Sequence, residues 1–318
     1  MKRCWKSARA TSIKPMQGGY RVQTEAGERL EAKRVVLALG MGDQLHWPVW
    51  ARPLRSQNRR ARVHHVFAPD FKRQDVAEDH SVVVVGGGIS AAQLALSLFE
   101  ANPDRRITIV SRHLLKKEDF DSDPGWLGPT LLKNFHSEKS YARRRAMIQE
   151  ARNLGSLASE VLHSLENAIR TGTIRWKLAE IAAAAYQAMR QKVRISLCHY
   201  ELDETLYRKT REIVSKLNQT PRGLEADVVL LATGFEAKRP GGSLVDDAVQ
   251  SMNLPTARDG FPILDRHLSW REGLYVMGPL AELEVGPASR NLSGARMAAG
   301  RIVKCPRVEW RVAVGSVH

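Results

Sequence analysis

The sequence predicts an α/β fold built around a doubly wound parallel sheet. Three observations carry this reading: the apolar run Val82–Val85 opens directly into three glycines, a helix-compatible stretch follows over Ala91–Glu100, and a second apolar run stands at Ile107–Val110. Short apolar runs without alternation mark strands buried on both faces. Strand, glycine turn, helix and strand within about 30 residues make a βαβ unit.

The elements follow in order. Tyr20–Thr24 alternates, Glu25–Glu28 supplies a glycine-containing turn, and Leu30–Leu39 returns as a strand that ends at Gly40. That is a hairpin pattern. A loop around Trp47-Pro48 and Pro53 leads to a basic connector, Arg55–Arg62, and a further stretch, Val63–Phe67. In the βαβ unit, Leu94 and Leu98 share a helix face, and Pro103 marks the stop. Asp119–Pro129 reads as loop, Tyr141–Asn153 and Ser156–Arg170 as helices. Val193–Leu197, Ala226–Ala232 and Leu274–Met277 read as strands, and Gly294–Val303 as the last helix. One pattern repeats: Val35–Gly40 (VVLALG) is echoed by Val228–Gly234 (VVLLATG), on either side of the Gly-rich unit. The two copies are expected to be neighbours in one sheet.

Composition narrows the function classes. The 318 residues are 43% apolar and 26% charged, an ordinary globular balance. The longest apolar stretch, Ile181–Tyr186, is far too short to span a bilayer. The basic N-terminal residues have no apolar segment after them, which excludes a secretory signal over this stretch. Cys4, Cys198 and Cys305 are dispersed with no CxxC pair. This argues for a reducing compartment, expected to be cytoplasmic, and against a disulfide framework or a zinc site, and no metal is expected. The net charge of +15 comes from 49 basic and 34 acidic residues. The arginine clusters Arg59, Arg60, Arg62 and Arg143–Arg145 carry no interleaved aromatics. Anionic cofactors and a solvated surface therefore account for the charge better than nucleic acid does.

The chemistry concentrates at the glycines. Gly86, Gly88 and Ala91 form a G-x-G-x-x-A pattern between strand and helix. The first glycine permits the tight turn, the second lets a diphosphate approach the backbone, and the small third residue lets helix and strand pack closely. The diphosphate then rests on free N–H groups at the helix N-terminus, where the dipole favours negative charge, and Ser90 can add a hydroxyl. The second strand ends in Ser111-Arg112-His113, with Lys116 and Lys117 beyond and no acid before Glu118. A carboxylate there would select the 2′-hydroxyl of NADH; an arginine selects a 2′-phosphate. NADPH is the expected cofactor.

With Gly86–Ala91, Ser111-Arg112 and the ATG-like strand Leu231–Phe235 in place, the chain resembles flavin-dependent oxidoreductases with two dinucleotide-binding domains. It looks closest to the lysine/ornithine N-hydroxylase-like monooxygenases. The resemblance implies a Rossmann-type NADPH-binding domain (residues 76–225) inserted into a partial FAD-binding domain (1–75 and 226–318). Leu37–Gly40 and Leu231–Gly234 match the family's two junctions. Gly234, Gly278 and Asn291 match positions near the cofactors, and FAD joins NADPH as an implied cofactor. The implied activity is hydride transfer from NADPH to flavin and on to oxygen or a small-molecule substrate. Residues 1–17 contain no glycine, so the family's own first FAD-binding turn is missing from this stretch. From that we expect weak FAD retention, an exposed sheet edge and a tendency to homo-oligomerise. The alternative is a catalytically inactive NADP-binding remnant or a redox-sensing interaction protein.

No catalytic residue stands out. Asp121–Gly128 and Phe135-His136 lie where the resembled group shapes its substrate side, but carry nothing specific to lysine or ornithine. His64-His65, His136 and Trp126 read as packing or surface residues.

Overall fold

The computed structural model describes residues 5–57, 60–198 and 223–306. The chain opens with an antiparallel meander of β1 (Ala10–Met16), β2 (Gly19–Thr24) and β3 (Arg29–Ala32), then β4 (Val35–Leu37). The stretch read as one strand over Leu30–Leu39 is therefore two strands in two sheets. Arg29–Ala32 is exposed at every position, whereas Leu37 is a core residue. The Val35 N–H donates to the Gly273 carbonyl at 2.8 Å, which turns the chain out of the meander.

Next come α1 (Arg52–Gln57), β5 (Val63–His65), β6 (Ser81–Val85), α2 (Ile89–Ala101), β7 (Arg106–Ser111) and β8 (Lys116–Lys117). They are followed by α3 (Pro129–Ser137), α4 (Tyr141–Ala151), β9 (Ser156–Leu157) and α5 (Ser159–Arg170). The helix expected from Ser156 starts at Ser159 instead. Ser156 and Leu157 pair with β8, and the Asp119 carboxylate accepts the Ser159 N–H at 2.7 Å and its hydroxyl at 2.6 Å. That capping group comes from another part of the chain, so no local pattern announces it.

The remaining elements are β10 (Ile174–Leu178), β11 (Glu180–Gln187), β12 (Lys192–Cys198), β13 (Gly223–Ala226), β14 (Val228–Leu231), α6 (Gly242–Met252), β15 (Ser269–Arg271), β16 (Leu274–Val276), α7 (Glu282–Val285) and α8 (Leu292–Val303). The strand expected over Ala226–Ala232 breaks at Asp227. Its N–H donates to the Ser81 carbonyl at 2.9 Å, and its carboxylate accepts the Ser81 N–H at 2.8 Å.

The described residues divide into two compact units, 5–44, 122–152 and 237–306 in one, 45–57, 60–121, 153–198 and 223–236 in the other. Relative to the expected boundaries at 75 and 225, residues 45–75 group with the Gly-rich unit because β5 is one of its sheet strands. Residues 122–152 group with the other unit, where Trp126, Leu132, Phe135 and Ile148 form a cluster with Phe261 and Leu283.

The Gly-rich unit is an α/β layer structure, as expected. Its five strands are all parallel, in the order β10-β7-β6-β14-β5. Alternate residues of each strand face opposite sides. Val82, Val84, Ile107 and Ile109 meet Leu94 and Leu98 of α2 and Leu165 of α5. Val83, Val110, Val229 and Leu231 meet Trp47, Leu54 and the antiparallel sheet β11-β12-β13. So helices cover one face and a small sheet with α1 covers the other.

In the other unit β4 lies beside β16, parallel, with β15 on the far edge. The two echoed segments therefore belong to different sheets and are not neighbours, contrary to the expectation from their likeness. Among the described strands β14 is paired on both edges, by β6 and β5, whereas β4 pairs with β16 alone. No helix among the described residues is long and apolar enough to cross a membrane.

Candidate functional site

The turn from β6 into α2 has the shape that its glycines require. Gly86 has φ +146°, and its N–H donates to the Val110 carbonyl at 2.9 Å. A Cβ there would lie 2.5 Å from the Ala232 carbonyl oxygen. Gly88 is the N-cap of α2 and supplies no side-chain cap. Its carbonyl accepts from Ala91 at 3.0 Å and Ala92 at 3.2 Å. The first N–H groups of the helix, at Ile89 and Ser90, are left without intrahelical partners. Ala91 is buried against the strand, and Ser90 is partly exposed. The uncapped start of α2, with its Ile89 and Ser90 amides free of helix partners, is a fit for a diphosphate, and beside Gly88 the chain itself comes in, the Gly155 Cα 3.3 Å from where a Cβ would sit.

At the same edge of the sheet β7 ends in Ser111, and Arg112 follows. Arg112 is exposed and makes no hydrogen bond or ion pair among the described residues. Its guanidinium is available to an anion. The Ser111 hydroxyl is not: it is buried, donates to the His113 carbonyl at 2.8 Å and accepts from the Trp176 indole N–H at 2.8 Å.

Gly234 closes the carboxyl end of β14. Its carbonyl accepts from the His46 N–H at 3.0 Å and from His65 Nε2 at 3.1 Å. The Thr233 hydroxyl donates to the His46 carbonyl at 2.5 Å. His65 is completely buried, with its Nδ1 accepting the Phe67 N–H at 3.3 Å. Both nitrogens are thus used by the neutral ring, with the proton on Nε2. Burial pushes the His65 imidazole down to about 4, against the opposing pull of the Gly234 carbonyl.

A pH dependence follows. Above the ordinary 6.5 the ring is neutral whether the chain is folded or not. As pH falls, the unfolded chain takes the proton first, so stability drops between about 6.5 and 4 and no further below. We expect His65→Asn to remove about 2 kcal/mol of the stability difference between pH 7 and pH 4.5. Urea midpoints at the two pH values measure it.

The other unit holds the remaining expected residues. Gly278 begins a short turn just after β16. Asn291 is the N-cap of α8: its side chain accepts the Gly294 N–H at 3.0 Å, and its carbonyl accepts from Ala295 at 3.0 Å. The cap leaves the Asn291 side-chain N–H groups at a helix N-terminus.

Beside them is an ionic cluster that the sequence reading missed. Glu282 is fully buried and bonded to Arg145, to Arg152 at 2.6 Å and to Arg290 at 2.9 Å. Burial opposes its charge, but the Arg152, Arg290 and Arg145 guanidiniums outweigh that and hold the carboxyl below its usual range. Glu284 pairs with Arg144 at 2.9 Å and Arg301 at 2.6 Å. Arg144 and Arg145 are thus ion-paired, where the composition predicts solvated surface charge. The available signal was two acids in the apolar run Leu280–Val285, since carboxylates buried in such a run need partners. His136 is engaged with the Glu284 carbonyl at 2.9 Å, and Trp126 is buried edge-on to Phe135.

The structure thus brings Gly86, Gly88, Ser90, Ala91, Ser111, Arg112 and Gly234 to the carboxyl ends of one parallel sheet. Gly278 and Asn291 belong to the second unit.

Residues 7–237 match the model of the L-lysine 6-monooxygenase/L-ornithine 5-monooxygenase family. No curated protein matches the chain. Among solved structures, the L-lysine 6-monooxygenase of Pseudomonas syringae is 21% identical, with a TM-score of 0.67 over 93% of this chain and 69% of that one. The ornithine hydroxylase of Pseudomonas aeruginosa is 18% identical, with a TM-score of 0.65 over 92% and 68%. The FAD-bound cadaverine monooxygenase of Erwinia amylovora is 16% identical, with a TM-score of 0.66 over 93% and 67%. At these identities the likeness is one of fold, and the chain spans about two thirds of each of these structures.

Proposed function

Because the chain belongs to the L-lysine 6-monooxygenase/L-ornithine 5-monooxygenase family, we propose that it is a flavin-dependent monooxygenase that draws its electrons from NADPH and acts on a small molecule. The observation that carries the NADPH half is the exposed Arg112, without a partner among the described residues, at the sheet edge that also presents the uncapped start of α2. Bound FAD and NADPH supply the redox chemistry with oxygen, and the protein supplies position and electrostatics.

In this reading the Ile89 and Ser90 amides hold the diphosphate and Arg112 holds the 2′-phosphate. Gly278 and the Asn291-capped start of α8 are the residues of the second unit that would face FAD. A small amine of the lysine, ornithine or cadaverine kind is the substrate class to try first, on the strength of the family.

The test is a titration of the purified chain with each nicotinamide. Arg112→Ala is expected to weaken NADPH binding about tenfold or more while leaving NADH nearly unchanged, since one charge-assisted contact is lost. Equal losses for both would remove Arg112 from the site. FAD-supplemented protein should oxidise NADPH faster than NADH, and faster still with a suitable amine. A chain that binds neither dinucleotide would sink the reading.

A further inference from the structure

The Gly-rich turn has a neighbour that the G-x-G-x-x-A pattern does not contain. The His113 ring stands in a slot between two glycine backbones. A Cβ at Gly87 would lie 2.6 Å from its Cε1, and a Cβ at Gly155 would lie 2.7 Å from its Nε2. Gly155 itself approaches the turn, its Cα 3.3 Å from where a Gly88 Cβ would sit.

The slot is held from several sides. The His113 carbonyl accepts the Ser111 hydroxyl at 2.8 Å, β8 pairs with β9, and the Ser156 hydroxyl donates to the Asn153 carbonyl at 2.7 Å. His113 Nδ1 lies 2.9 Å from the Leu114 carbonyl oxygen. A carbonyl only accepts, so Nδ1 carries the proton and Nε2 of the neutral ring is a bare acceptor. Nε2 has no partner among the described residues, and it stands between Gly155 and Gly87 of the turn, 2.7 and 3.1 Å from where their Cβ atoms would sit.

We propose that His113 is a ligand of the dinucleotide's diphosphate, donating from Nε2 as the imidazolium. The inference rests on the reading of this turn as the NADPH site. A diphosphate next to Nε2 favours the protonated ring, and a donor–anion bond of that kind is charge-assisted. Binding therefore takes up a proton. Around the ring, Gly86–Ala91 and residues 153–157 carry no ionisable side chain, while Arg112, Lys116 and Lys117 flank it in sequence. Glu118 is paired with Lys116 at 3.4 Å.

The diphosphate is common to NADH and NADPH, which separates His113 from Arg112. NADH is also the cleaner probe, because a 2′-phosphate titrates near pH 6 on its own. Binding of NADH and NADPH to the full chain is measured by fluorescence titration at pH 8 and pH 6. For the wild type we expect NADH affinity to rise about fivefold from pH 8 to pH 6. His113→Gln should flatten that slope and weaken both dinucleotides about tenfold. Arg112→Ala should lose NADPH affinity but keep the NADH slope. The inference is overturned by a wild-type NADH affinity equal at the two pH values, a measurement that needs no variant. It is equally overturned by a folded His113→Gln protein that binds both dinucleotides as well as the wild type. A wild type that binds neither dinucleotide at either pH overturns the NADPH site and this inference with it.

Discussion

Glu282→Gln is expected to destabilise the protein by about 3–5 kcal/mol, the range for breaking a buried ion pair from one side. Three guanidiniums converge on this one carboxylate, that of Arg145 and those of Arg152 at 2.6 Å and Arg290 at 2.9 Å. A glutamine keeps the shape but turns one acceptor oxygen into a donor amide that faces cations. Most of the cost lies in the arginines left buried without a counter-charge. Against a typical total of about 5–15 kcal/mol, that is a large fraction. Urea denaturation monitored by circular dichroism reads it. Adding Arg145→Met, which removes the guanidinium stacked 4.0 Å from the Phe261 ring, should restore part of the loss. A Glu282→Gln protein within 1 kcal/mol of wild type (about a fivefold change in the unfolding constant) would show that the cluster is solvated in solution.

Gly86→Ala should abolish detectable dinucleotide binding and cost about 2–4 kcal/mol of stability as well. Its φ of +146° is in a region that side-chain-bearing residues avoid, and the new Cβ would press on the Ala232 carbonyl at 2.5 Å. Backbone cannot swing aside as a flexible side chain can. Relief has to come from moving the turn away from β14, which takes the Ile89 and Ser90 amides out of line. Calorimetric titration of the folded variant with NADPH decides it. Unchanged affinity would make the turn merely structural.

Legibility in the sequence tracks how local each cause is. β6, α2 and β7 could be read because strand, turn and helix are specified within one short window by Val82–Val85, the glycines and the Leu94/Leu98 spacing. β11 could not: Ile181–Tyr186 is alanine-rich, a weak strand former, and owes its strand state to pairing with β12. α6 was invisible for a related reason. It begins at Gly241-Gly242, and the N–H of Gly241 is held at 2.8 Å by Asp43, far away in the chain. The same division runs through the candidate site. The places of Gly86, Gly88 and Ala91 at the turn and of Arg112 after the strand end follow from spacing alone. The slot around His113 depends on Gly155 arriving from beyond α4, and the Glu282 cluster on Arg145 and Arg152, 137 and 130 positions upstream. Tertiary approach leaves no mark within a window of one turn.

The strand order of the Gly-rich sheet also dictates a timetable for the ribosome. β14 sits between β6 and β5, yet it is the last of the five to be made. Until Val228–Leu231 emerges, β5 and the β6-β7-β10 trio are separate pieces, each with an apolar edge open to other chains. Between the end of β10 at Leu178 and the start of β14 at Val228, translation takes roughly 3–10 s at 5–20 residues per second. β4 waits longer still, because its partner β16 begins only at Leu274. Neither unit can close co-translationally at its first strands. Until those partners emerge the nascent protein carries unpaired strand edges, and its yield should depend on how well these are kept from other chains.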